Sequence, residues 1–141
     1  MRQRRELPRP TPAIRLGVVG HRDLEGVDQV ALRETVSRFL DELRGAVADA
    51  LATLDEALSP EPYLRKPTLF FLLDALAEGT DQLVAEVAIE GSYGYRLRAP
   101  IPFATDEYKG YFSCDPALAS TTFDRLVGCL LYTSPSPRDE D

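Results

Sequence analysis

Two short stretches of this chain carry residue types whose spacing could do chemistry. The first is Gly17-Val18-Val19-Gly20-His21-Arg22-Asp23-Leu24, and the second is Ala75-Leu76-Ala77-Glu78-Gly79-Thr80-Asp81. Gly20 permits close backbone approach, His21 can donate or accept beside a phosphate or a base, and Arg22 can fork two hydrogen bonds to one phosphate. In the second stretch Gly79 and Thr80 stand where a helix begins, which makes Thr80 a candidate N-cap and turns free backbone amides toward the first stretch. Glu78 and Asp81 are carboxylates able to accept from ribose hydroxyls. A cleft with donors at one end and carboxylates at the other suits a nucleotide better than a bare apolar metabolite. The same residue types also serve turning and capping, so a purely structural reading of both stretches stays open.

Other chemistries find little support. The glycines of the first stretch do not have the GxGxxG dinucleotide spacing, no GxxxxGK[ST] phosphate loop occurs, and no GxSxG elbow is present. A single His, with Cys114 and Cys129 in no CxxC or His/Cys set, argues against a tetrahedral zinc site, and no metal or cofactor is expected. Asp106 and Glu107 read as the solvated start of a helix. Tyr108, Tyr111 and Phe112 read as packing or rim residues rather than a base-stacking platform.

The elements that must position these stretches follow from periodicity. Ile14 to Val19 is a short apolar, β-branched run with the profile of a strand buried on both faces. From Asp28 to Leu58 apolar residues recur every three or four positions, which predicts one long amphipathic helix, loosened at Gly45 and stopped by the prolines of Ser59 to Pro67. Thr68 to Leu73 predicts a second buried strand, Asp81 to Glu90 a helix closed by Gly91 as its C′ residue, and Tyr95 to Ile101 a weaker, alternating third strand. A helical turn around Asp106 follows, then a helix opening at Asp115 with Pro116 in its first position. Strand, helix, strand, helix, strand, helix predicts an α/β fold with a parallel sheet: a Rossmann-like three-layer sandwich, incomplete in this chain. Ligands of such sheets sit at the carboxyl ends of the strands, which is where both stretches fall.

Composition narrows the partners. The 141 residues carry 16 Lys plus Arg against 23 Asp plus Glu, a formal charge of −7, with 44% hydrophobic residues. One domain is expected, and the acidic balance disfavours direct nucleic-acid or anionic-membrane binding. No apolar run approaches the roughly 20 residues of a membrane span, and a cytoplasmic setting is expected. Residues 1–12 read as a proline-stiffened lead-in, 13–128 as the domain, and 129–141 (CLLYTSPSPRDED) as a tail without period. That tail resembles a peptide string found at the ends of metagenomic reading frames where adapter sequence has been translated, so 129–141 is expected to be non-native and the domain to be partial.

The two stretches, taken with Leu97-Arg98-Ala99-Pro100-Ile101-Pro102-Phe103, Asp106-Glu107-Tyr108 and Phe112, resemble the bacterial SLOG superfamily over about residues 13 to 127. That resemblance implies a Rossmann-like domain related to the Lonely Guy phosphoribohydrolases and to the DNA-processing protein DprA. It would bind a nucleotide or nucleotide-derived ligand as a sensor in a bacterial conflict or signalling system, with an effector protein or domain and self-association as candidate partners. It implies a pocket lined by Gly20, His21, Arg22, Glu78, Gly79, Thr80 and Asp81. The chain departs from the hydrolases' PGGxGT segment: Leu76-Ala77-Glu78 replaces much of the glycine run, and Gln82 and Leu83 stand where acids follow the Thr. An amide and an alkyl group cannot supply the carboxylates' charge stabilisation, so cleavage of a nucleoside monophosphate is the alternative and not the expectation. A bare interaction module is a third reading.

Overall fold

The computed structural model describes residues 10–57, 68–91, 93–130 and 132–133. Leu58, the proline-rich stop after it and residues 134–141 lie outside the described residues, as does most of the N-terminal lead-in. The elements run β1 (Ala13–Gly17), α1 (Gln29–Ala57), β2 (Leu69–Leu73), α2 (Thr80–Glu90), β3 (Tyr95–Ala99), α3 (Thr105–Lys109), α4 (Pro116–Val127) and β4 (Tyr132–Thr133). The strands stand in the order β1-β2-β3-β4, and every pairing is parallel. The chain therefore has an α/β fold with an all-parallel sheet, an incomplete Rossmann-like arrangement. The two-residue β4, within the stretch set apart from the domain in the sequence, pairs with Arg98 and Ala99.

Each long helix has a local cause. The Asp28 carboxylate accepts from the Ala31 amide at 3.1 Å and caps α1, which then runs unbroken through Gly45, where a loosening was expected. Asp115 caps α4 by accepting from the Leu118 amide at 3.3 Å, with Pro116 in the first turn as its missing N–H allows. Gly91 closes α2 as expected, but at φ −73°, so it ends the helix without entering the left-handed region.

Helix α2 packs against both α1 and α4, and the three share one core with the sheet. Ile14, Leu16, Phe70, Leu72, Tyr95 and Leu97 meet Leu40 of α1, Leu83 and Val87 of α2 and Phe123 of α4 in a single core. Tyr108, Phe112 and Phe123 pack edge to face with ring centroids 5.5 to 5.8 Å apart, so two of the three aromatics near α3 are core residues. Tyr111 instead stacks on Phe103 at 5.3 Å near the surface.

The opposite face is armed with arginines. Arg96 and Arg98 are exposed on β3 and Arg15 on β1, and the Arg98 and Arg15 guanidiniums lie 4.0 and 5.9 Å from the Phe71 ring centroid. This corrects the expectation that β1 is buried on both faces: its side chains alternate, and Val19 beyond it is 96% exposed.

Candidate functional site

The register of β1 on β2 decides where the two loops leave the sheet. Gly17 stands opposite Leu73, and the Val18 amide donates to the Leu73 carbonyl at 3.0 Å. Both loops therefore exit at the same carboxyl-end rim, and they touch there. The Thr80 amide and hydroxyl both donate to the His21 carbonyl, at 3.0 and 2.9 Å. Thr80 is thus the first residue of α2, not its cap; the capping position is Gly79, at φ 86° and ψ −127°, a region essentially closed to other residues. A Cβ on Gly79 would run into the Arg22 and His21 carbonyls, and one on Gly20 would run into the Thr80 side chain. Two glycines without side chains are what let these loops come together.

Glu78 is the clasp of the site. It is 3% exposed, and its carboxylate accepts from the Ser113 amide at 2.9 and 3.0 Å, the Cys114 amide at 2.9 Å, the Ser113 hydroxyl at 3.3 Å and Arg22 at 3.2 Å. Burial alone would raise this carboxyl; the two amides, the Arg22 guanidinium and the Ser113 hydroxyl outweigh it and hold Glu78 below the usual carboxylate value. The same Nη2 of Arg22 donates to the Tyr111 carbonyl at 2.8 Å. Arg22 and Glu78 therefore join three segments: the loop after β1, the loop after β2 and the approach to α4.

Beside this clasp opens a cleft of about 700 Å³ between the start of α1, α2 and the start of α4. Of the seven residues expected at a ligand pocket, Arg22, Glu78 and Gly79 line it. Gly20 and Thr80 form the contact between the loops, His21 is exposed beside them, and Asp81 is half-buried behind them. The wall also includes Asp23, Glu25, Gln82, Glu86 and Asp115, with Arg33 as the second cation. Arg33 pairs with Glu86 at 3.3 Å, and Arg125 of α4 pairs with Glu86 and with Glu90. Sequence reasoning did not find Ser113 and Cys114, whose contribution comes through backbone amides that no side-chain pattern announces.

Behind the clasp lies a second polar feature. Asp74 directly follows β2 and is fully buried; its Oδ1 accepts from the Leu76 amide at 2.8 Å, while Oδ2 has no partner among the described residues. Burial, together with the nearby Asp81 charge and against the Leu76 amide, pushes the Asp74 carboxyl up to about 8. Burial likewise raises Asp81, opposed by the Ala77 amide, and raises Tyr108, on which Asp81 and Asp74 act in the same direction and Arg22 against it. Leu76 sits at φ 58° with its side chain fully buried, a left-handed conformation that costs a non-glycine residue on the order of 1 kcal/mol. It is held by Asp74 on one side and by Gln82 on the other, whose Nε2 donates to the Leu76 carbonyl at 3.2 Å and the Ala119 carbonyl at 3.0 Å.

Among the described residues no group of three His, Cys, Asp or Glu comes together as a metal site, and no helix is long and apolar enough to cross a membrane. Comparison with protein-family models, with curated proteins and with solved structures finds no match.

Proposed function

We propose that this domain binds a nucleoside or nucleoside monophosphate in the cleft beside the clasp and acts as a ligand sensor. The reading rests on one observation: the two loops share a rim, hydrogen-bond to each other through His21 and Thr80, and border a 700 Å³ cleft at the carboxyl end of the sheet. Arg22 is the phosphate-facing group. Its Nη2 is engaged by Glu78 and Tyr111, its side chain is 52% exposed, and the rest of its fork makes no hydrogen bond among the described residues, which leaves those donors for a ligand.

The balance of charge selects the ligand. Asp23, Glu25, Glu86 and Asp115 line the cleft against Arg22 and Arg33, so hydroxyls and amines are favoured over a polyphosphate. Asp23 and Glu25 at the rim take the ribose-reading role that the sequence offered to Glu78 or Asp81, because Glu78 is already occupied by four donor groups and Asp81 does not line the cleft. Of the two carboxylates the hydrolase alternative would use, Glu78 is occupied in the same way and Asp81 does not line the cleft, and the Gln82 amide is held by two carbonyls. A sensor role in a bacterial conflict or signalling system, acting on an effector, remains part of this proposal through the resemblance to the SLOG superfamily.

Isothermal titration with nucleosides and their mono-, di- and triphosphates tests the reading, with chromatography of the recovered ligand. A monophosphate is expected to bind more tightly than the matching triphosphate and to be recovered intact. Arg22→Ala is expected to weaken it at least about tenfold, the weight of a charge-assisted hydrogen bond. Free base in the recovered mixture would establish the hydrolase instead, and a panel in which nothing binds would leave only a scaffold.

A further inference from the structure

We propose that Asp74 is a buried proton switch that sets the shape of the cleft, loosening the turn between β2 and α2 when its carboxyl ionises. The inference does not depend on which ligand the cleft takes. Its geometric basis is a carboxyl group with no exposed surface, one oxygen satisfied by the Leu76 amide and the other without a donor among the described residues. In the neutral form that second oxygen carries a hydrogen and bears no charge, which a buried site tolerates. In the ionised form it is an anionic oxygen with no donor among the described residues, which a buried site does not tolerate.

The charged and titratable groups facing this corner reinforce the preference. Asp81 of α2 adds a like charge, Tyr108 of α3 is itself pushed toward its neutral form, and Arg22 acts on Tyr108 while held by Glu78. The proton held by Asp74 is thus retained into the neutral range, and its release near pH 8 passes it to bulk water.

The turn is built to transmit that event. The Asp74 Oδ1 holds the amide of Leu76 in its left-handed conformation, the Leu76 carbonyl is held by Gln82, and Gln82 bridges to the Ala119 carbonyl of α4 while lining the cleft. Glu78, with its clasp on Ser113 and Cys114, is two residues further along the same turn. Hydrating the ionised Oδ2 requires the turn to open. Opening releases Leu76 from its left-handed conformation and pulls Glu78 away from the amides at the start of α4.

Amide NMR against pH tests this in a Cys114→Ser background, which removes the thiol next to the Ser113 amide being followed. The Leu76 amide is expected to titrate with a midpoint near 8, and the Ser113 amide to follow the same curve. Asp74→Asn is expected to abolish both transitions, and Asp81→Asn, which removes the like charge, to move both midpoints down together. Should Asp74→Asn not fold, Asp81→Asn alone carries the test. The proposal is overturned if Leu76 titrates near the ordinary Asp value of about 4, if it does not titrate at all, or if Ser113 stays still while Leu76 moves.

Discussion

The loop after β1 leaves Val19 96% exposed and His21, Arg22 and Asp23 at the surface, whereas the loop after β2 buries Leu76 completely and leaves Glu78 only 3% exposed. The first is braced internally by short-range bonds, Glu25 amide to Asp23 carboxylate at 2.9 Å and Val27 amide to Leu24 carbonyl at 3.1 Å, and its long-range bonds run from exposed His21 and Arg22. The second is fixed by contacts far along the chain, through Glu78 to Ser113 and Cys114 and through Gln82 to Ala119. One loop is a scaffold and the other leans on it. A segment with few buried contacts opens at low free-energy cost, so ligand-linked movement belongs in the first loop while the second keeps the cleft in register.

Changes in the second loop should therefore cost much, and changes in the first little. The largest expected effect is the pH dependence of Asp74. Its folded-state pKa is raised from 3.8 to about 8, so the stability it contributes is fully present below about pH 4, declines as pH rises, and is lost by about pH 8. Linkage bounds that decline at about 6 kcal/mol, and Asp74→Asn should flatten it in melts followed across pH. Gly79→Ala combines a forbidden backbone region with a clash on the Arg22 carbonyl, and should lower the unfolding free energy by about 4 kcal/mol in urea titrations.

Glu78→Ala leaves the Ser113 and Cys114 amides without their acceptor and should cost about 3 kcal/mol by the same measurement, with little owed to half-exposed Arg22. Because the Glu78 pKa is lowered, its stabilisation holds above the unfolded value of 4.5 and disappears as pH falls through the folded one, the reverse of Asp74. Thr80→Val removes one bond between the loops and should cost about 1 kcal/mol. His21→Ala, at the exposed end of the comparison, should stay within about 0.5 kcal/mol in thermal melts. A His21 effect as large as that of Glu78 would reverse the assignment of scaffold and dependent loop.

The alternation of apolar runs and amphipathic stretches was enough to read the element order as far as α4, though not β4, and the Asp115-Pro116 pair to place the start of α4. Gly20 was legible as a point of close approach and Gly79 as part of a helix start, although the partner of the approach, each other's loop, is a consequence of β1 pairing directly with β2. Asp74 was not legible. In sequence it is a polar residue ending an apolar run, indistinguishable from a turn acid, and only the packing of α2 and α3 over the strand end buries it. Glu78 was legible as a carboxylate at the right rim but not as a clasp, since its partners are backbone amides 35 and 36 residues away. The face of β1 was misjudged because Arg15, a single charge within an apolar run, is the only local sign of a solvated side.

The most direct test of the shared rim is a titration of isotope-labelled protein with adenosine monophosphate, following the amides of Arg22, Gly79 and Ser113. The account predicts that all three shift along one saturating curve, with larger changes at Arg22 than at Gly79, while amides on the arginine face of β3 stay in place. Shifts confined to that face, or none at the rim at saturating ligand, would contradict it.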